Sequence, residues 1–258
     1  MITSRANEKV KYARSLQRAD VRRKEQSFVI EGIRLVEEAL VAGLAPKLVL
    51  VAPDQLGASA RGRRLLERIE QYDWAAASDS VIKAAADTQS PQGVVAVFPL
   101  PERAYPHDLG VLVLVLDGLR DPGNVGTILR TAEAAGVRVV MLTEECVDPY
   151  NPKVLRGAMG AHFRLHVLDD QTWRQIEQLL RGRAIWLATS RDGTPYFEAD
   201  WTRGSALIIG NEAFGASAGA RRLATGQVTI PMAGKAESLN AAVAAGIILF
   251  EALRQRTA

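Results

Sequence analysis

The chain has 258 residues, of which 48% are hydrophobic and 24% charged, enough apolar material for a real core and too much for wholesale disorder. A lone Cys146 excludes an internal disulfide framework and a cysteine-rich zinc site, and no apolar run reaches the ~18 residues of a transmembrane helix. The net charge of +3 is unevenly placed: the first 24 residues hold eight Lys/Arg against two Asp/Glu, a local excess of +6.

Arg5, Lys9, Lys11, Arg14, Arg18, Arg22, Arg23 and Lys24 oppose only Glu8 and Asp20 in that opening. Such a segment neutralises phosphates and releases counterions, the footprint of a nucleic-acid binder; a solvated basic helix is the plainer reading. Met1-Ile2-Thr3-Ser4-Arg5 starts no signal-peptide region, so a cytoplasmic location is expected.

Ser27–Gly32 then reads as a short strand and turn, followed by a helix through Ile33, Val36 and Leu40 that Gly43 stops. Lys47–Ala52 and Gly93–Phe98 read as strands, and Arg61–Tyr72 and Ser80–Ala86 as helices. Residues 1–100 thus form a small α/β domain. Three prolines in Pro99–Pro106 make 101–108 a stiff linker, and residues 109–258 form a second domain.

The second domain opens with Val111–Leu116, a run without alternation that suits a central parallel strand buried on both faces. A turn over Asp117–Gly123, a helix over Val125–Ala135 and a strand over Val137–Leu142 complete a βαβ unit. Further strands are predicted at Phe163–Val167, Ala184–Ala188, Ala206–Ile209 and Val228–Ile230. They alternate with helices at Asn151–Gly160, Thr172–Arg181, Ser217–Thr225 and Leu239–Arg254. The fold class is α/β, an open and mostly parallel sheet with helices on both faces.

Ligands bind such sheets beyond the carboxyl ends of the strands, so chemistry is expected in the loops after Leu116, Ala188, Ile209 and Ile230. The first, Asp117–Gly126, lacks both the dinucleotide fingerprint and the Walker lysine. Asn124 is placed to cap the helix after it. Arg130 stands among Ile128, Leu129, Thr131 and Ala132, where a charge is expected to reach a partner or a substrate. Glu212 follows an apolar strand directly. The last loop ends in Ser238 and Asn240 at a helix start, and Ser238 there can also be a plain N-cap. Roomy backbone loops beside such polar groups suit a nucleoside-like ligand. His162 and His166 lie on a predicted strand without a third ligand, so no metal is expected. Ser190 and Ser217 sit in no nucleophile elbow, which disfavours acyl-transfer hydrolysis.

Three blocks in order, Asp121-Pro122-Gly123-Asn124-Val125-Gly126 through Arg130, Gly210-Asn211-Glu212 with Gly215, and Ile230-Pro231-Met232 with Ser238-Leu239-Asn240, resemble the motifs of the SpoU-type (TrmH-like) RNA ribose 2'-O-methyltransferases. Phe28-Val29-Ile30-Glu31-Gly32 through Leu35 and the elements after it resemble the substrate-binding domain, similar in fold to ribosomal protein L30e, that many members carry. The resemblance implies an S-adenosylmethionine-dependent enzyme, a homodimer whose C-terminal domain is threaded into a deep trefoil knot. It implies that the backbone of Gly210, Ile230 and Leu239 holds the methyl donor, with Thr189 and Met232 near it. Asn124, Arg130, Glu212, Ser238 and Asn240 match the catalytic set, with Glu212 orienting Arg130 or a neighbour. Ala158 departs from the serine of many relatives.

The implied substrate is RNA, with the ribose in 23S ribosomal RNA, because relatives acting on tRNA guanosine usually lack the N-terminal α/β domain. A tRNA substrate is the alternative, and a non-catalytic RNA-binding protein on the same fold the third. The small-residue stretch Asn240–Gly246 suits close packing of two subunits, or burial inside one.

Overall fold

A computed structural model describes residues 1–102, 104–212 and 214–257. Met1–Glu102 and Tyr150–Arg156 make up one unit and the rest of the chain a second.

The first unit contains α1 (Glu8–Ser15), α2 (Ala19–Glu25), β1 (Ser27–Glu31), α3 (Ile33–Val41), β2 (Leu48–Val51), α4 (Pro53–Gly57), α5 (Ala60–Ile69), β3 (Trp74–Ala76), α6 (Asp79–Ala85) and β4 (Val94–Pro99). Its four-stranded sheet has the order β1-β4-β2-β3, with β4 antiparallel to both neighbours and β2 parallel to β3. Strand β3 escapes sequence reading because its three residues are only half-buried and carry no alternation.

The basic opening is not a free solvated helix. Helix α1 buries Val10 and Ala13 in a core with Val81, Ile82, Val95 and Val97. Arg22 is buried, and its Nη1 donates to the carbonyls of Leu16 and Gln17 at 2.8 Å each, beyond the end of α1. It therefore serves the fold and is not available to a phosphate. Lys9, Lys11 and Arg18 pair with Asp73, Glu8 and Asp20, whereas exposed Arg5, Arg14 and Lys24 make no ion pair with a described residue.

The second unit contains β5 (Leu112–Leu116), α7 (Pro122–Ala134), β6 (Val139–Thr143), the end of α8 (Pro152–Ala158), β7 (His166–Gln171), α9 (Trp173–Leu179), β8 (Ala184–Thr189), β9 (Thr194–Pro195), β10 (Ser205–Ile209), α10 (Ala218–Leu223), β11 (Gly226–Thr229) and α11 (Ala241–Thr257). Its seven strands run in the order β7-β6-β5-β10-β8-β11-β9, and every neighbouring pair is parallel. Val113, Val115, Ile208 and Leu187 form one core with Ile176, Leu180 and Ala220 of α9 and α10. The oppositely pointing Leu114, Leu116, Leu207 and Ile209 are buried too, as an uninterrupted apolar run requires.

Three local expectations fail. Helix α7 begins at Pro122 and not Val125, because Asp121 Oδ1 accepts the Asn124 N–H at 2.7 Å and Pro122 fits a first-turn position; Asp121 is the cap and Asn124 is not. Ala161–Phe163 is a 3-10 turn, and the strand starts only at His166. The alternation that suggested an earlier start comes from His162 pointing inward, where its Nε2 bonds the Pro149 carbonyl at 2.8 Å. Ser238 caps no helix among the described residues: Asn240 Oδ1 accepts the N–H groups of Ala242 at 2.9 Å and Val243 at 3.3 Å, so Asn240 is the cap of α11. Ala158 is fully buried.

Burial pushes the His162 imidazole down to about 4, so the folded chain keeps it neutral. An unfolded chain binds that proton from near 6.5. Stability is therefore full above pH 6.5 and falls by roughly 3 kcal/mol as pH drops from 6.5 to 4. Thermal unfolding across this range should show the loss, and His162→Gln should flatten it; an unchanged slope in the variant contradicts the assignment.

Candidate active site

From β5 the chain moves outward through β6 and β7, then returns to β8 on the other side, and β10 is inserted between β5 and β8. At such a switch the loops on either side diverge and leave a crevice at the carboxyl ends of the strands. An open cavity of about 1050 Å³ lies there, the size of a generous small-molecule site. Asn124, Glu212, Ser238 and Asn240 line it, as do Thr189, Gly210, Ile230, Met232 and Leu239.

Arg130 does not. It lies on an exposed position of α7, outside the cavity wall, and forms no hydrogen bond or ion pair with a described residue. The apolar neighbours in sequence are the inward-facing side of an amphipathic helix, so they do not desolvate the guanidinium. The expectation that burial drives Arg130 to a partner is thus corrected, and of the two groups expected for Glu212, Arg130 or a neighbour, it holds a neighbour.

Glu212 instead holds Asn124. The Asn124 Nδ2 donates to Glu212 Oε1 at 2.7 Å, and Asn240 Nδ2 donates to Asn124 Oδ1 at 3.0 Å. With the Asn240 cap bonds, this makes one relay from the first turn of α11, through the first turn of α7, to the loop after β10. Its direction has no freedom. A backbone N–H can only donate and a carboxylate can only accept, so both amides between them must face as found. One Asn124 amide proton and one Glu212 oxygen remain without a partner among the described residues.

The loop after β10 is fastened from below. Asn211 and Gly215 exchange backbone hydrogen bonds of 3.0 and 2.9 Å, which hold these two residues side by side. Asn211 Nδ2 donates to the Gly118 carbonyl at 2.5 Å, and the Ser217 N–H donates to Asp117 Oδ2 at 2.7 Å. Asp117 is buried at the end of β5, and desolvation raises its carboxyl above the usual range despite that bond. Gly210 is required by space: a Cβ there would stand 2.8 Å from Ala216 N and 2.9 Å from Gly215 C. Gly215, at φ +68°, supplies the left-handed residue that closes the loop.

On the other side of the cavity Thr189 Oγ1 is turned away, donating to the Arg191 carbonyl at 2.8 Å. Ile209, Ile230, Met232, Leu239 and Ile248 give this part an apolar surface next to open backbone at Gly210. A flat heteroaromatic with a polar edge fits that combination, so the residues present suit an adenosyl group. Arg120, Arg191, Arg221 and Phe214 also line the cavity and were not singled out from the sequence. The only signal for Arg120, Arg191 and Phe214 was their position in the loops after β5, β8 and β10, and Arg221 on α10 had none.

Asn240→Ala should lower stability by about 1 kcal/mol through the lost cap. That corresponds to a fall of roughly 2–4 °C in melting temperature at this size. Glu212→Gln keeps an acceptor for Asn124 and should change it by less than about 0.5 kcal/mol. Differential scanning calorimetry separates the two, and equal effects contradict the relay.

Comparison with known proteins agrees with this geometry. Residues 111–250 match the model of the "SpoU rRNA Methylase family", and residues 7–96 match an "MRM3-like substrate binding domain". The chain is 35% identical to the 23S rRNA (guanosine(2553)-2'-O)-methyltransferase RlmP of Bacillus subtilis, over 96% of this chain and 97% of that one. The crystal structure of the SpoU methyltransferase AviRb from Streptomyces viridochromogenes in complex with AdoMet superposes with a TM-score of 0.89 at 28% identity, covering 97% of this chain and 98% of that one. The TrmH/SpoU tRNA modifying enzyme of A. aeolicus, at 30% identity and a TM-score of 0.52, covers only 57% of this chain and 76% of its own. With a family match over more than half its length and relatives matched almost end to end, the chain belongs to the SpoU rRNA methylase family.

Proposed function

We propose that this chain transfers a methyl group from S-adenosylmethionine to a ribose 2'-hydroxyl in 23S ribosomal RNA. The relay Asn240–Asn124–Glu212 at the rim of the cavity carries the reading, because it joins two of the family's three motifs to the third in one rigid, directional unit. The near end-to-end match to an rRNA enzyme, against a partial one to a tRNA enzyme, favours ribosomal RNA.

When bound, S-adenosylmethionine supplies an electrophilic methyl group on a sulfonium. A ribose oxygen that took this methyl group would give up its hydroxyl proton, which would pass to solvent at the open cavity. Gly210, Ile230 and Leu239 hold the donor side, with Thr189 and Met232 beside them. Asn124, with one amide proton and Glu212 behind it, orients the acceptor. Ser238 and Asn240 shape the loop between the two sides. Arg130, outside the cavity wall, grips a phosphate of the acceptor strand and so positions the ribose; a guanidinium is a poor base but a strong bidentate donor.

The reading includes a homodimer. Ala241, Ala242 and Ala245 of α11 are buried in their own subunit, while Val243 and Phe250, seven residues apart on one helix face, are 51% and 48% exposed. A second copy suits that stripe. The reading also includes the knotted thread, which the insertion of β10 between β5 and β8 supports, and an L30e-like first domain over residues 1–100. A cytoplasmic location suits the unpaired Cys146 thiol and the proposed substrate.

Arg130→Ala should abolish methyl transfer to 23S rRNA while donor affinity by calorimetry stays within twofold, because the side chain lies outside the donor cavity. Near-normal turnover contradicts its role. Replacing Arg5, Arg14 and Lys24 with Gln should flatten the slope of log affinity against log salt by about 2, from ~0.7 per phosphate contact. Filter-binding titrations at three salt concentrations decide this, and an unchanged slope leaves the basic opening without a role in RNA capture.

A further inference from the structure

Phe214 is 82% exposed and makes no ring contact with a described residue, although it lines the cavity beside Glu212. Single exposed apolar side chains are ordinary on a protein surface, so what marks Phe214 is its place on the wall of a cavity that arginines share. Its backbone is also held in place. Its N–H donates to Asn211 Oδ1 at 3.1 Å, within the loop that Asn211 and Gly215 close by two backbone bonds. Asn211 in turn is tied to the Gly118 carbonyl. Arg221 lies by the same loop, with Nε donating to the Ala216 carbonyl at 3.3 Å, and Arg120 and Arg191 share the cavity wall.

We propose that Phe214 is a stacking platform for an unpaired base of the RNA substrate, at or next to the methylated nucleotide. This rests on the methyltransfer reading above. A ribose that reaches the Asn124 amide brings its base to the mouth of the cavity, where Phe214 offers the one flat apolar surface among the exposed large hydrophobics lining that wall. Arg221 takes a flanking phosphate, as do Arg120 and Arg191 on exchanging their 3.7 Å pairs with Glu145 and Glu237 for it. Stacking is tolerant of base identity, so Phe214 positions the nucleotide and leaves recognition of sequence to other contacts. The backbone bonds at Asn211 and Phe214 limit where the ring can be carried, which reduces the backbone entropy lost on binding.

The test compares full-length Phe214→Ala, Phe214→Leu and Phe214→Trp with the parent chain on transcribed 23S rRNA. Loss of one stacked base is expected to raise KM for RNA about tenfold in the Ala and Leu variants, with Trp restoring it and kcat changing far less. Filter binding should show the same order without needing transfer. Donor affinity, melting temperature and subunit mass should stay at parental values. Equal KM in all four proteins overturns the proposal, as does a Leu variant that behaves like the parent. A fall in donor affinity would assign Phe214 to the donor pocket, and a shift to monomer would assign it to a contact between copies; either also overturns it. A parent chain that binds the RNA but methylates no ribose would defeat the functional reading while the stacking comparison still stands on binding.

Discussion

Everything at the cavity depends on one hydrogen-bond relay whose direction cannot reverse. It starts on the N–H groups of Ala242 and Val243, passes through the amides of Asn240 and Asn124, and ends on the Glu212 carboxylate. Each bond lies near the surface and by itself contributes little, on the order of 1 kcal/mol. The value of the set is geometric. Three segments, with Asn124 lying 88 residues from Glu212 and 116 from Asn240 in sequence, are brought to a single arrangement, with the Asn124 amide held at its centre.

The relay can exist only because the sheet brings those segments together. An all-parallel sheet collects the loops after its strands at one edge, and the insertion of β10 between β5 and β8 sets the Glu212 loop against the start of α7. Burial of β5 and β10 on both faces makes that placement rigid. Below the relay, Asp117 and Asn211 tie the two loops to each other through bonds of 2.7 and 2.5 Å. Keeping a carboxylate buried at Asp117 is costly, and its bond to the Ser217 N–H offsets part of that cost by fixing the start of α10.

The basic opening shows how charge arithmetic and structure divide a question. Eight cations in 24 residues suggest phosphate binding. One of them, Arg22, is consumed by the carbonyls at the end of α1, and three pair with carboxylates. What remains for RNA is a smaller set, which is why the expected salt dependence is modest.

By itself the sequence determined the α/β class and a central strand at Val111–Leu116, of which Leu112–Leu116 forms, because an apolar run is a local signal with a physical cause. The nine residues that meet in one cavity were implied as a set by the resemblance of three sequence blocks to a known family. Only the tertiary structure decided which polar group faces which. Asn124 is a relay member and not a cap, because Asp121 lies three residues before it at the true start of α7; Asn240 and not Ser238 caps α11. Arg130 reads as buried among Ile128, Leu129 and Ala132, yet the helix turns it to solvent, since side-chain direction follows the 3.6-residue period and not nearness in sequence. Phe214 carried no signal beyond its place in the loop after β10: an aromatic in a loop is ordinary until the fold sets it, uncovered, at the rim of a cavity.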